Sequence, residues 1–368
     1  MEHSKENAQS YQRVKVWFSL FNYLKTFILL SIVIFSGLSV FMRDVAQNIS
    51  SFWIFEVAVY FSLLSVFFLI FDLPLSFYTG YVLEKKYDLT NQTVGAWLKE
   101  MLKKSILSFA LTLVLLEVFF CVIRISGDSW WWIFWIVWVV ISLVLGKLAP
   151  VLIFPLFYKF EPLEEGSLKT KILDLVQKGG LFLKNVYVFN MSKTTKKANA
   201  AFCGMGKTRR VILADTLIEN FTEEEIEMVV AHEMGHCRLK HIWKRTVSGM
   251  LVSLVLFYLV SYFLNQWDTK FGFEGIQDVA VLPLIFLIFF AMSLFLIPIE
   301  NAYSRKHEYE ADDYAYQWMP NKQVFASLME KLGKLNLANP NPHPVIEFLL
   351  YDHPSLAHRI EKIQSKKD

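Results

Sequence analysis

Apolar residues in this chain fall in long runs, not in the alternating or single-face patterns of soluble strands and helices. A membrane-crossing helix needs about 20 mostly apolar residues. Six stretches meet or approach that length: residues 18–42, 52–83, 105–126, 129–157, 246–267 and 279–299. The first holds Lys25 near one end, where its long stem can carry the amine to the interface. The second is interrupted by Asp72 and Pro74, the third contains Glu117, and the fourth opens on Ser129-Trp130-Trp131-Trp132, an interfacial aromatic cluster. The last two are free of charge. The first run is long and lacks a clear small-residue cleavage site, so a removable signal peptide is not expected. Asp72 and Glu117 allow two readings: pairing with a Ser, Thr or Lys near an interface, or facing a water-filled interior, because a bare acid in lipid is costly.

Between the fourth and fifth runs the pattern changes. Glu161 to Lys178 has a helical pattern stopped by Gly179-Gly180. Asn185–Phe189, Asn199–Cys203 and Arg210–Leu213 read as three short strands, the last two joined around Gly204-Met205-Gly206. The free edge of such a sheet is a template for an extended peptide. Thr222 with Glu225 forms a capping box, and three consecutive glutamates suit the positive end of a helix that runs from Ile226 to at least His241 and can continue into the fifth span. Gly206-Lys207-Thr208 ends like a phosphate-binding loop, but the leading glycine is replaced by Ala201, which excludes that motif.

Composition supports the membrane reading. Of 368 residues, 54% are apolar and 19% charged, against about 25% charged in soluble domains. Disorder, collagen and a disulfide-stapled scaffold are excluded. A net charge of +3 is too weak to point to nucleic acid. Cys121, Cys203 and Cys237 read as free thiols. Lys and Arg concentrate in residues 1–16, 84–104 and after the fourth span, in phase with the spans, which puts both termini and residues 158–245 in the cytosol. The chain divides into a transmembrane domain, 1–157, with about four spans, and a second domain, 158–368, holding the remaining two.

The chemistry lies on the capped helix. His232-Glu233-Met234-Gly235-His236 puts two histidines on one helical face, about 6 Å apart, where both rings reach one Zn²⁺. Glu233 follows the first histidine and can hold the metal-bound water without ligating. Catalytic zinc uses three protein ligands and an open position. The third comes from elsewhere: His307, Glu308, Glu310, Asp312, His343, His353 and His358 all qualify. Glu308 and Asp312 are four apart, so one can ligate while the other hydrogen-bonds a histidine ring. A closed four-ligand structural site is disfavoured, because Cys237 points about 100° away from His236 and such a site has no use for Glu233.

These residues resemble the type I CAAX prenyl proteases, integral-membrane zinc metalloendopeptidases of the gluzincin type. Four stretches carry the resemblance in order: Asn199–Gly204 with Lys207–Leu217, Ala231–His241, Ser304–Asp312 and His353–Ile360. The resemblance implies a mainly α polytopic fold, a ring of helices enclosing a water-filled chamber, with a small α+β zinc peptidase portion. It implies one Zn²⁺ on His232, His236 and Glu308, with Glu233 as general base and Asp312 orienting a zinc histidine. Asn199, Ala200 and Ala201 would hold substrate as an added strand, and His353 and Arg359 would stabilise the oxyanion. The expected partners are a peptide or protein substrate, prenylated or not, and the bilayer of a bacterial inner membrane or endoplasmic reticulum. The family's eukaryotic members have five spans before the zinc helix against four counted here, as if the first were missing, and the insertion that some members carry between Asp215 and Thr222 is absent. A membrane quality-control protease of the heat-shock type and a non-catalytic zinc-containing scaffold are the competing readings. An intramembrane site-2 protease is disfavoured, because its later span would need an Asp and the sixth run has none.

Overall fold

The computed structural model describes residues 2–204, 209–267 and 269–367. Met205–Thr208, with the expected Gly204–Gly206 connection and the Lys207-Thr208 pair, lie outside them. The first half is helical: α1 (Glu2–Phe35), α2 (Leu38–Ile49), α3 (Trp53–Phe77), which runs through a π-turn at Tyr78–Val82 into α4 (Leu83–Lys86), then α5 (Val94–Ser126) and α6 (Trp130–Leu148). The second half begins with β1 (Phe160–Pro162), α7 (Ser167–Lys178), β2 (Asn185–Phe189), β3 (Ala200–Cys203) and β4 (Arg210–Ala214). It continues with α8 (Asp215–Asn220), α9 (Glu223–Arg238), α10 (His241–Trp267), α11 (Leu282–Trp318), α12 (Lys322–Asn336), α13 (Pro344–Leu350) and α14 (Leu356–Gln364).

Among the described residues, five helical stretches are long and apolar enough to cross a membrane. One, residues 94–156, is 63 residues long and folds back on itself, because Phe119 and Phe134 touch at 4.9 Å between ring centres. The reversal falls at Gly127, whose φ of 50° suits a residue without Cβ. Six limbs result. They pack in the order α3, α5, α6, α10, α11, α1. The Lys25–Asp72 pair and the stacked Phe18 and Tyr78 rings join α1 back to the α3 segment. The ring of helices is closed. Asp72 thus takes the paired option, whereas both Glu117 oxygens are buried with no hydrogen-bond partner among the described residues.

Hydrogen bonds settle which segments share an end of the ring. At one end, Tyr11 and Lys197 both bond Glu84, Gln12 bonds the Leu337 carbonyl at 3.1 Å, and Thr90 bridges Thr195. At the other, Ser39 donates to the Ala280 carbonyl at 2.6 Å and Arg43 meets Asp278 at 2.7 Å. The N-terminal helix start, the 84–91 turn and the second-half sheet therefore lie together, opposite the loop before α11. Each end has its own apolar core, one among the helix ends and one between the sheet, α7, α9 and α12.

Local structure departs from the sequence reading in four places. The first run breaks at Gly37, φ 76°, so α1 ends at Phe35 and α2 is a separate short helix. Phe160–Pro162 is a strand, antiparallel to β2, and α7 starts only at Ser167. The sheet thus has four strands, ordered β1-β2-β4-β3, with β3 at an edge. The capped helix stops before the fifth span: Lys240 takes φ 58°, and α10 begins at His241. The sixth run and the downstream acidic helix are one element, α11, which carries Pro298 inside it.

Candidate metal centre

The capping box fixes where α9 starts. Thr222 accepts from the Glu225 backbone and the Glu225 carboxylate accepts from the Thr222 N–H. Glu225 is buried and also receives Ser327 and Lys331 at 2.7 Å each, which bolts the start of α9 to α12. One turn from the helix end, Gly235 lies against α11. A Cβ there would sit 3.0 Å from the Ala311 Cα, so any larger residue would push the two helices apart by some tenths of an ångström. The two helices that carry the candidate ligands meet at this contact.

Three donors converge as a result. His232 Nε2 and His236 Nε2 are 3.1 Å apart, and Glu308 oxygens lie 3.4 Å and 3.3 Å from them. Ligands about 2.0–2.1 Å from a tetrahedral Zn²⁺ stand about 3.3 Å from one another. The two nitrogens and the Glu308 carboxylate, which faces each of them with a different oxygen, are spaced to fit that ion. Burial opposes charge on His232, but hydrogen bonds to Asp312 and Glu308 outweigh it and hold its pKa up to about 9. The negative surroundings that draw a proton onto this ring also favour a metal cation beside it.

Both histidines are held from behind. His232 Nδ1 is 2.9 Å from Asp312. Asp312 is itself clamped by Arg359, whose Nε and Nη2 donate at 2.8 Å and 2.6 Å. His236 Nδ1 is 3.0 Å from His241 Nδ1, and His241 Nε2 is 2.9 Å from Glu310. With His236 Nε2 turned to the metal position, its Nδ1–H donates to His241, whose own N–H donates to Glu310. The sequence reading missed this relay. The break at Lys240 makes it, by turning His241 back toward the helix it follows.

Glu233 is half-buried. Burial raises its pKa, the two histidines pull it back, and a backbone hydrogen bond from Phe202 on β3 favours its charged form. Asn199 precedes this strand. Its carbonyl accepts from Ala214 at 3.0 Å and its side chain from Ala200 at 2.8 Å. Ala200 and Ala201 pair with Leu213 and Ile212, which leaves the other edge of β3 without a strand neighbour among the described residues. His353 Nε2 is 3.5 Å from Glu308, and its Nδ1 is 2.9 Å from Asp352, a hydrogen bond that raises its pKa. Arg359 lies deeper: it is 7% exposed, and Asp312 and Glu308 push its pKa further up against the effect of burial. Among the other third-ligand candidates, His343 caps α13 and His358 pairs with Glu347 at 3.3 Å.

Residues 162–367 match peptidase family M48, and residues 2–159 match the CAAX prenyl protease N-terminal region, described as five membrane helices. CAAX prenyl protease 1 of Saccharomyces cerevisiae is 33% identical over 81% of this chain and 70% of its own length. An uncharacterized metalloprotease of Bacillus subtilis, YhfN, is 28% identical over 98% of this chain and 85% of its own. The crystal structure of S. mikatae Ste24p superposes with a TM-score of 0.88 at 27% identity, over 99% of this chain and 89% of that one.

Proposed function

Because the chain belongs to peptidase family M48 and carries that family's membrane N-terminal region, we propose that it cleaves peptides of the CAAX type near their C-terminus, using one Zn²⁺ on His232, His236 and Glu308. It is an integral-membrane metallopeptidase. The names of its relatives support the substrate class. The zinc reading is carried by the three donor-to-donor distances of 3.1, 3.3 and 3.4 Å.

When bound, Zn²⁺ supplies a Lewis acid and a water of lowered pKa. Glu233 would serve as the general base toward the attacking water and return the proton to the departing amine. The Phe202 backbone on β3 favours the charged form of Glu233, the form a general base needs. The outer edge of β3, from Asn199 through Ala200 and Ala201, takes the substrate backbone as a fifth strand, which sets the scissile carbonyl against α9. His353, whose pKa the hydrogen bond to Asp352 raises, would donate to the charge developing on that carbonyl oxygen. Arg359 acts one layer out, through the Asp312 and His232 it orients. Asp312 on one side, and His241 with Glu310 on the other, fix which nitrogen of each histidine faces the metal. The closed ring of helices is the wall of the expected chamber. The charge pattern of the loops supports a cytosolic metal centre and cytosolic termini.

The test is a digest of synthetic CAAX peptides, prenylated and not, with cut sites mapped by mass spectrometry and repeated after metal chelation. Chelator-sensitive cleavage within the last residues is expected. Cleavage that survives chelation would sink the proposal.

A further inference from the structure

Beside the metal centre lies a second donor cluster, His241, His307 and Glu310, whose nitrogens and carboxylate oxygens all fall within 4.8 Å of one another. It does not suit a second metal. The His241 and His307 rings are stacked 4.1 Å apart at 11°, and an imidazole binds metal in its own plane. Two parallel rings at that spacing cannot both aim at one ion about 2 Å away. The role of His307 lies elsewhere.

A cavity of about 170 Å³ runs from Glu233, His236 and Glu308 to His241, Arg245, Ser304 and His307. Its far lining holds several hydrogen-bond donors and, Glu308 and Glu233 aside, no anionic acceptor among the described residues. His307 is 3% exposed, yet its Nδ1 is sealed without a partner and neither ring nitrogen makes a hydrogen bond among the described residues. Ser304 is 4% exposed; its oxygen accepts from Arg245 Nη1 at 3.3 Å, and its own proton has no acceptor among the described residues. The Arg245 guanidinium meets no carboxylate among the described residues, whereas Lys244 next to it is 3.7 Å from Glu310. Apart from the two acids of the metal centre, no carboxylate lines the cavity.

We propose that this end of the cavity is a subsite for a carboxylate, namely the free C-terminus of the peptide fragment that leaves after cleavage. The inference rests on the peptidase reading above and deepens it. A carboxylate only accepts hydrogen bonds, so it matches a guanidinium, a hydroxyl and an imidazole N–H at once. A carboxamide brings donors of its own and leaves part of that lining unmet. The subsite thus favours substrates with a free C-terminus close behind the scissile bond over internal sites in longer chains. It fixes the cut at a set distance from the chain end.

The experiment uses pairs of peptides identical except for a C-terminal acid or amide, with the full chain in detergent. The unsubstituted protein should favour the acid by about tenfold or more in kcat/KM, the size of a hydrogen bond to a charged group. Arg245→Gln should bring that ratio close to one, and Arg245→Lys should keep most of it. The exposed position of Arg245 makes both variants compatible with folding. An acid-to-amide ratio unchanged in Arg245→Gln, or no preference in the unsubstituted protein, would overturn the subsite. If neither peptide is cut, the peptidase reading falls. Equilibrium binding of the same pair then decides the subsite: tighter binding of the acid that Arg245→Gln abolishes upholds it, and equal binding overturns it.

Discussion

At the scale of single residues, the centre is a set of side chains each held by another. Spacing alone puts His232, Glu233 and His236 on one face of a helix. It cannot choose the third ligand among seven candidates, because that choice depends on how two helices distant in sequence cross. The crossing is set by Gly235, whose missing Cβ admits the Ala311 backbone. The relay from His236 through His241 to Glu310 was equally hidden, since a left-handed residue at Lys240 has no strong sequence mark. Outer partners of this kind are worth about 10–100-fold in metal affinity. His241→Ala should therefore weaken zinc binding by about that factor in competition with a chelator of known affinity, with the chain still folded. Unchanged affinity would remove His241 from the centre.

At the scale of elements, α9 was the most legible part of the chain. Its cap, its acidic first turn and its motif all point the same way. The extent of neighbouring elements was less so. Glu161 to Lys178 carries a helical pattern, yet Glu161 and Pro162 pair with β2 as part of a strand, because strand pairing depends on residues far along the chain. The cap also gives a pH-dependent contribution. Burial acts to raise the pKa of Glu225, but Lys331, Ser327 and the Thr222 N–H outweigh it and lower it below 4.5. A carboxylate depressed in the folded state stabilises above its unfolded pKa, and that stability is lost as pH falls through the folded value. Glu225→Gln should therefore cost about 1–3 kcal/mol at pH 7, read as a lower Tm. The gap to the unsubstituted protein should close as pH drops below about 4.5. A gap that stays constant from pH 7 to pH 3 would show that Glu225 acts only by packing.

At the scale of the whole molecule, the six apolar runs were plain from hydropathy, and they became six limbs of helix. Their order around the ring was not, because helix neighbours in a membrane are chosen by packing rather than by apolarity. The breaks at Gly37 and Gly127 decide where the chain turns. Loop charge predicts that the N-terminal helix start and the loop before α11 lie on opposite sides, and the two sets of hydrogen bonds put them at opposite ends. With Cys121, Cys203 and Cys237 replaced, single cysteines at the exposed Gln9 and Lys270 should react with an impermeant thiol reagent from opposite faces of sealed vesicles. Labelling from the same face would break the topology.

The central claim is that Glu233 moves the proton while His232, His236 and Glu308 hold the metal. It is tested most directly by measuring zinc content and peptide hydrolysis together in Glu233→Gln. The account predicts one zinc per chain, unchanged, with hydrolysis lowered by at least about 10²–10⁴, the range of general-base catalysis. Near-normal turnover in a zinc-loaded Glu233→Gln protein would contradict it.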